Sequence, residues 1–193
     1  GSFQNLLIVA DGMGGHRAGD YASRLCVETM VQSLEKSAHK TPVSLFEEAV
    51  TAANKAVFEE SASHVEYEGM GTTVVACTLE ENTLYIANIG DSRLYLIRDG
   101  IEQITDDHSL VEEMVKQGNI TESEARIHPQ KNIITRALGI NEEVQADFFE
   151  IDVEQGDVIM LCSDGLSNMI EDEDMEYIVK LMRTAVMIIL PLC

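Results

Sequence analysis

The 193-residue chain is 45% hydrophobic, enough for one domain with a sizeable core and too short for two comfortable ones. Its 34 acidic residues against 13 basic ones give a formal net charge of -21, which repels nucleic-acid phosphates and anionic membranes and leaves divalent cations and basic segments as complements. Cys26, Cys77, Cys162 and Cys193 form no C-x-x-C pair, and three of them lie in apolar runs, the usage of a chain kept in a reducing cytoplasm.

In chain order, the apolar run Leu6–Ala10 ends at Asp11-Gly12 and reads as a strand buried on both faces. From Arg17 to Lys36, Ala22, Leu25, Cys26, Met30 and Leu34 recur near helical spacing. Ser44-Leu45-Phe46-Glu47 reads as a capping box opening a second amphipathic helix through Ala49, Ala52, Ala53 and Ala56. Strand-like segments follow at Gly71–Leu79, Leu84–Ile89, Arg93–Ile97 and Ile101–Ile104, and their short links predict an antiparallel meander. His108 to His128 is helical and charged, with a capping box at Thr121–Glu124, before strands resume at Ala146–Ile151 and Val158–Cys162. A last amphipathic segment follows Glu171–Asp174. Helices and strands in separate blocks predict an α+β domain over residues 1–193. Gly1-Ser2-Phe3 lacks the features of a signal peptide, and the apolar tail Ala185–Leu192 is far shorter than the roughly 20 residues of a membrane span, so no membrane attachment is expected.

Three strands stop at an aspartate beside a glycine: Leu6 to Asp11-Gly12, Leu84 to Gly90-Asp91, and Val158 to Asp164-Gly165. Taken singly, each is a turn former. Gathered at neighbouring strand ends, the carboxylates would repel one another and take up protons unless cations neutralised them. Oxygen ligands without a Cys or His cluster favour Mg²⁺ or Mn²⁺ over zinc. Two such ions sharing a carboxylate could activate a bridging water for attack on a phosphate ester, and a glycine at position 12 or 165 would let a backbone carbonyl approach closely.

The run Val9-Ala10-Asp11-Gly12-Met13-Gly14-Gly15-His16 resembles the signature strand of bacterial metal-dependent protein phosphatases of the PPM, or type 2C, class. Similar blocks follow in the family's order: Gly69-Met70-Gly71-Thr72-Thr73, Ile89-Gly90-Asp91-Ser92-Arg93, Asp107-His108-Ser109, Thr135-Arg136-Ala137-Leu138-Gly139 and Leu161-Cys162-Ser163-Asp164-Gly165-Leu166. The resemblance implies a four-layer α-β-β-α sandwich of two antiparallel sheets flanked by helices, with a small helical flap at about 108–130. It implies hydrolysis of phosphoserine and phosphothreonine in proteins by a metal-bound hydroxide, opposing a cytoplasmic bacterial kinase. It further implies Asp11 as the ligand bridging two Mn²⁺ or Mg²⁺ ions, the Gly12 carbonyl as a ligand to one, Asp164 as a ligand to the other, and Asp91 with Asp164 on a third, weaker ion.

The chain departs from the family pattern at both ends. No N-terminal strand supplies a phosphate-gripping arginine and a supporting acid, and no Asp-Asn pair follows Met182-Arg183 before the atypical tail at 184–193. A weakened metal site, weakened phosphate binding and association through exposed edge strands are therefore expected. The alternative is a degenerate domain of the same fold acting as a binding or regulatory module. Arg93 and Arg136 are expected in structural ion pairs, and His16, His108 and His128 are secondary candidates. Ser92, Ser163 and Thr72 lack a nucleophile-elbow context.

Overall fold

Residues 5–38 and 41–185 are described by the structure, a computed structural model. The elements in chain order are β1 (Leu7–Val9), β2 (Gly12–Met13), α1 (His16–Lys36), α2 (Pro42–Ser63), a short 3₁₀ turn (Val65–Tyr67), β3 (Gly71–Thr72), β4 (Val74–Glu80), β5 (Thr83–Ile89), β6 (Arg93–Ile97) and β7 (Ile101–Gln103). Then come α3 (Leu110–Lys116), α4 (Glu122–Ile127), β8 (Asp147–Asp152), β9 (Val158–Cys162), α5 (Asp164–Ser167) and α6 (Asp172–Ala185). Gly1-Ser2-Phe3, Cys193 and the tail beyond Ala185 lie outside the described residues.

Alternation along the central strands sets the layers, because successive side chains on a strand point to opposite faces. Val74, Ala76, Ala87 and Ile89 meet the helical core of Ala22, Cys26 and Met30 from α1 and Phe46, Ala49 and Ala53 from α2. Val75, Cys77, Leu84 and Ile86, on the opposite face, pack against Leu94, Ile159 and Leu161 of the second sheet. Tyr95 and Cys162 face away from that interface toward Met175 of α6. The result is the expected four-layer α-β-β-α sandwich. One sheet has the order β1-β4-β5-β8, the other β7-β6-β9, and β2 and β3 form a separate pair; all pairings are antiparallel. Cys26, Cys77 and Cys162 are buried free thiols, and burial pushes Cys26 and Cys77 up to about 12, which leaves both unreactive.

Three expectations change. β1 is half-buried with Leu7 exposed, because among the described residues it pairs only with β4 at the sheet edge. The second helix starts at Pro42 behind Thr41, since proline suits a first turn whose N–H groups have no partner, and Ser44 is therefore inside the helix rather than capping it. The meander is divided: β5 stays with β4 and β8, whereas β6 joins β7 and β9, so the link Gly90-Asp91-Ser92 carries the chain from one sheet to the other. The capping box at Thr121 and Glu124 forms as expected.

Ile86 is fully buried between the sheets. Ile86→Ala should lower stability by about 2–5 kcal/mol, read from the urea midpoint. A loss below ~0.5 kcal/mol would contradict this packing.

Candidate metal centre

Asp11 sits between β1 and β2, and its backbone is held by two buried threonines. The Asp11 N–H donates to Thr73 Oγ1 at 3.1 Å, and its carbonyl accepts from Thr72 Oγ1 at 3.0 Å and the Thr73 N–H at 2.9 Å. Thr73 Oγ1 is also 2.7 Å from Ser92 Oγ, which ties the Asp11 segment to the sheet-crossing turn that carries Asp91. That turn needs Gly90, whose φ of 101° L side chains rarely adopt and whose added Cβ would come within 2.6 Å of Thr73 Cγ2. Asp164 follows β9 as the first residue of α5, and the Asn168 amide donates to its Oδ2 at 3.1 Å.

The three strand ends thus bring Asp11, Asp91 and Asp164 together. Asp11 and Asp164 lie close enough for their charges to interact. Burial and then the Asp164 charge raise the Asp11 carboxyl above its usual range, against a lowering hydrogen bond from the Ser163 hydroxyl. Burial, followed by the charges of Asp164 and Asp107, pushes Asp91 up to about 6. Among the described residues, no group of three or more His, Cys, Asp or Glu side chains is arranged to hold an ion by itself. The pair Asp11–Asp164 with Asp91 beside it nonetheless fits a hard divalent cation: it is all oxygen, it is electrostatically uncompensated, and Mg²⁺ and Mn²⁺ readily complete their shells with water and carbonyl oxygens.

The Gly12 reading gains a second cause. A Cβ there would come within 1.8 Å of the Gly19 carbonyl oxygen, so glycine is required for α1 to touch β2, whatever its carbonyl binds. At Gly165 a Cβ would meet only Ser163 Oγ at 3.6 Å, an ordinary contact, so no close approach demands glycine there.

The arginines are paired as expected. Arg93 grips Asp107 through Nε at 2.9 Å and Nη2 at 2.7 Å, and Arg136 Nη1 lies 2.7 Å from Asp147. His16 is exposed at the start of α1, and His128 follows α4, where its Nδ1 accepts from the Gln130 N–H at 3.2 Å. His108 is buried against Gly90 and Asp147. Helices α3 and α4 border a cavity of about 370 Å³ whose walls include Asp91, Asp164, Arg93 and Arg126. Sequence reasoning did not single out Thr73, Ser92, Asp107 or Asp147 for the site. A usable signal was present in Thr72-Thr73 and Ser92, polar residues flanking strands buried on both faces.

Residues 2–187 match the family model for protein phosphatase 2C. The chain belongs to the protein phosphatase 2C family. It is 41% identical over 186 residues to the serine/threonine phosphatase stp of Listeria monocytogenes, covering 94% of this chain and 74% of the relative. The crystal structure of the Mycobacterium tuberculosis serine/threonine phosphatase PstP/Ppp superposes with a TM-score of 0.85 at 39% identity, over 92% of this chain and 75% of that one. A PstP catalytic domain solved in complex with two manganese ions gives a TM-score of 0.81 at 37% identity, over 91% and 74%. The chain is accordingly a hydrolase, a protein serine/threonine phosphatase acting on phosphorylated proteins, and the degenerate-module reading is not favoured. No helix among the described residues is long and apolar enough to cross a membrane.

Burial raises the Asp147 carboxyl, but hydrogen bonds from His108 and Arg136 outweigh it and hold the group below the usual range. Such a group adds stability that is present above the ordinary carboxylate value and is lost as pH falls through the lower, folded value. Asp147→Asn should therefore flatten the acid side of the stability profile below about pH 4, measured by urea midpoints; an unchanged slope would refute it. With chelator present, Asp164→Asn should raise stability by about 0.5–2 kcal/mol, seen as a higher urea midpoint, because it removes repulsion from Asp11 and Asp91. A lowered midpoint would count against the electrostatic reading.

Proposed function

We propose that Asp11 bridges two Mn²⁺ or Mg²⁺ ions, that the Gly12 carbonyl and Asp164 each serve one of them, and that Asp91 with Asp164 holds a third, weaker ion. The observation that carries this reading is the convergence of Asp11, Asp91 and Asp164 at neighbouring strand ends, where burial and the Asp164 charge raise the Asp11 and Asp91 carboxyls above their usual range. The two manganese ions of the PstP catalytic domain support the same reading. When bound, such ions neutralise phosphate charge and make water nucleophilic at neutral pH.

The chain's own residues supply the frame. Thr72 and Thr73 fix the backbone of Asp11, and Asn168 restrains Asp164. A substrate phosphoryl group would approach from the flap cavity, where Arg93 is already neutralised by Asp107 and leaves binding to the cations. On this reading residues 1–193 act as one catalytic domain with a flap at about 108–130 and an atypical tail at 184–193, of which the family match takes in residues up to 187. We further place it in the cytoplasm, opposing a bacterial serine/threonine kinase, with self-association through β1, β8, β7 or β9. These strands each pair with a single neighbour in their sheet among the described residues.

The test is hydrolysis of a phosphothreonine peptide and an aryl phosphate by the full chain with Mn²⁺, Mg²⁺ or chelator. Turnover should require the cation, and Asp11→Asn should cost roughly 100-fold or more. Asp91→Asn should reduce the rate without abolishing it. An unchanged rate in Asp11→Asn would remove the bridging assignment, and phosphopeptide binding without turnover under any cation would favour a binding module.

A further inference from the structure

Gly90 immediately precedes Asp91, and one residue grips its backbone twice. The Gly90 N–H donates to His108 Nδ1 at 3.1 Å, and the Gly90 carbonyl accepts the His108 N–H at 3.0 Å. A nitrogen that accepts carries no proton, so the ring hydrogen sits on Nε2. That nitrogen donates to Asp147 Oδ2 at 2.9 Å, while Asp147 Oδ1 takes Arg136 Nη1 at 2.7 Å. The tautomer is thus selected from both sides of the ring. The residue is 5% exposed, and the His108 carbonyl is itself held by the Thr135 N–H at 2.8 Å, so its position is fixed. A second tie runs parallel, from the Asn88 amide to the Asp106 carbonyl at 3.0 Å.

We infer that His108 is a positioning residue for Asp91: its Nδ1, kept free of a proton by Asp147, holds the Gly90 N–H and thereby fixes where the Asp91 carboxylate is presented. His108 touches neither cation nor substrate in this role. The inference rests on the proposed assignment of Asp91 as a cation ligand. Its chemical content is the acceptor at the Nδ1 position, which separates it from mere filling of space.

Two variants isolate that acceptor. His108→Asn keeps an oxygen near the Nδ1 position but falls short of Asp147, whereas His108→Gln reaches toward Asp147 and offers Gly90 no acceptor. Amide exchange of the Gly90 N–H is measured in chelator, and Mn²⁺ binding is measured by calorimetry. His108→Gln should speed exchange and weaken the weakest Mn²⁺ step, each by about 10-fold, and its effect on Mn²⁺ binding, though not on exchange, should vanish in an Asp91→Asn background. His108→Asn should stay within about 3-fold of the parent in both. In ¹⁵N spectra the parent ring should be the Nε2–H tautomer, and Asp147→Ala should give a mixture. Equal impairment of the Asn and Gln variants, or additivity with Asp91→Asn in Mn²⁺ binding, would overturn the inference. If Asp91→Asn bound Mn²⁺ like the parent while Gly90 exchange still followed the expected order, the ligand assignment would have failed and the inference with it; the exchange rates tell the two failures apart.

Discussion

Packing of one antiparallel sheet face to face on another is the constraint from which the site follows. Val75, Cys77, Leu84 and Ile86 on one side and Leu94, Ile159 and Leu161 on the other bury the interface. Sheets locked in this way share an edge where strands from both terminate. β1 ends there with Asp11, β5 crosses there through Asp91, and β9 ends there with Asp164. Without the inter-sheet core these aspartates would be separate turn residues.

Holding them together opposes the stability of the fold. Asp11 and Asp91 are both raised by burial and by neighbouring carboxylates, in a chain that already carries a net charge of -21. The cost is met by neutral groups rather than by nearby cations of the protein. Buried hydroxyls of Thr72, Thr73 and Ser92 fix the backbone, while Arg93 and Arg136 are committed to Asp107 and Asp147. The carboxylates are thereby left uncompensated, which suits a site that exchanges charge with divalent ions and with a phosphorylated protein.

The polar groups around the site form a continuous shell. Asp147, on an edge strand, hydrogen-bonds His108 just ahead of α3, and His108 grips the turn that presents Asp91. Asp107 anchors Arg93 and adds to the charge felt by Asp91. Several of the acids that a composition count treats as solvated surface are in fact partners within this shell.

The sequence by itself marked most of the elements and the acidic strand ends of the candidate site. Period-two and helical patterns are local properties, so the strands Arg93–Ile97 and Val158–Cys162 were legible to the residue, and the Asp-Gly strand ends marked Asp11 and Asp164. Local patterns also misled where a neighbour decided the outcome: Pro42 moved a helix start past Ser44, and edge placement exposed Leu7. Only the tertiary structure decided that β5 and β6 belong to different sheets, that Gly12 is glycine because Gly19 touches it, and that His108 reads Gly90 on one side and Asp147 on the other. Those facts depend on contacts between residues far apart in the chain, and side-chain order along a strand carries no information about which partner will lie across from it.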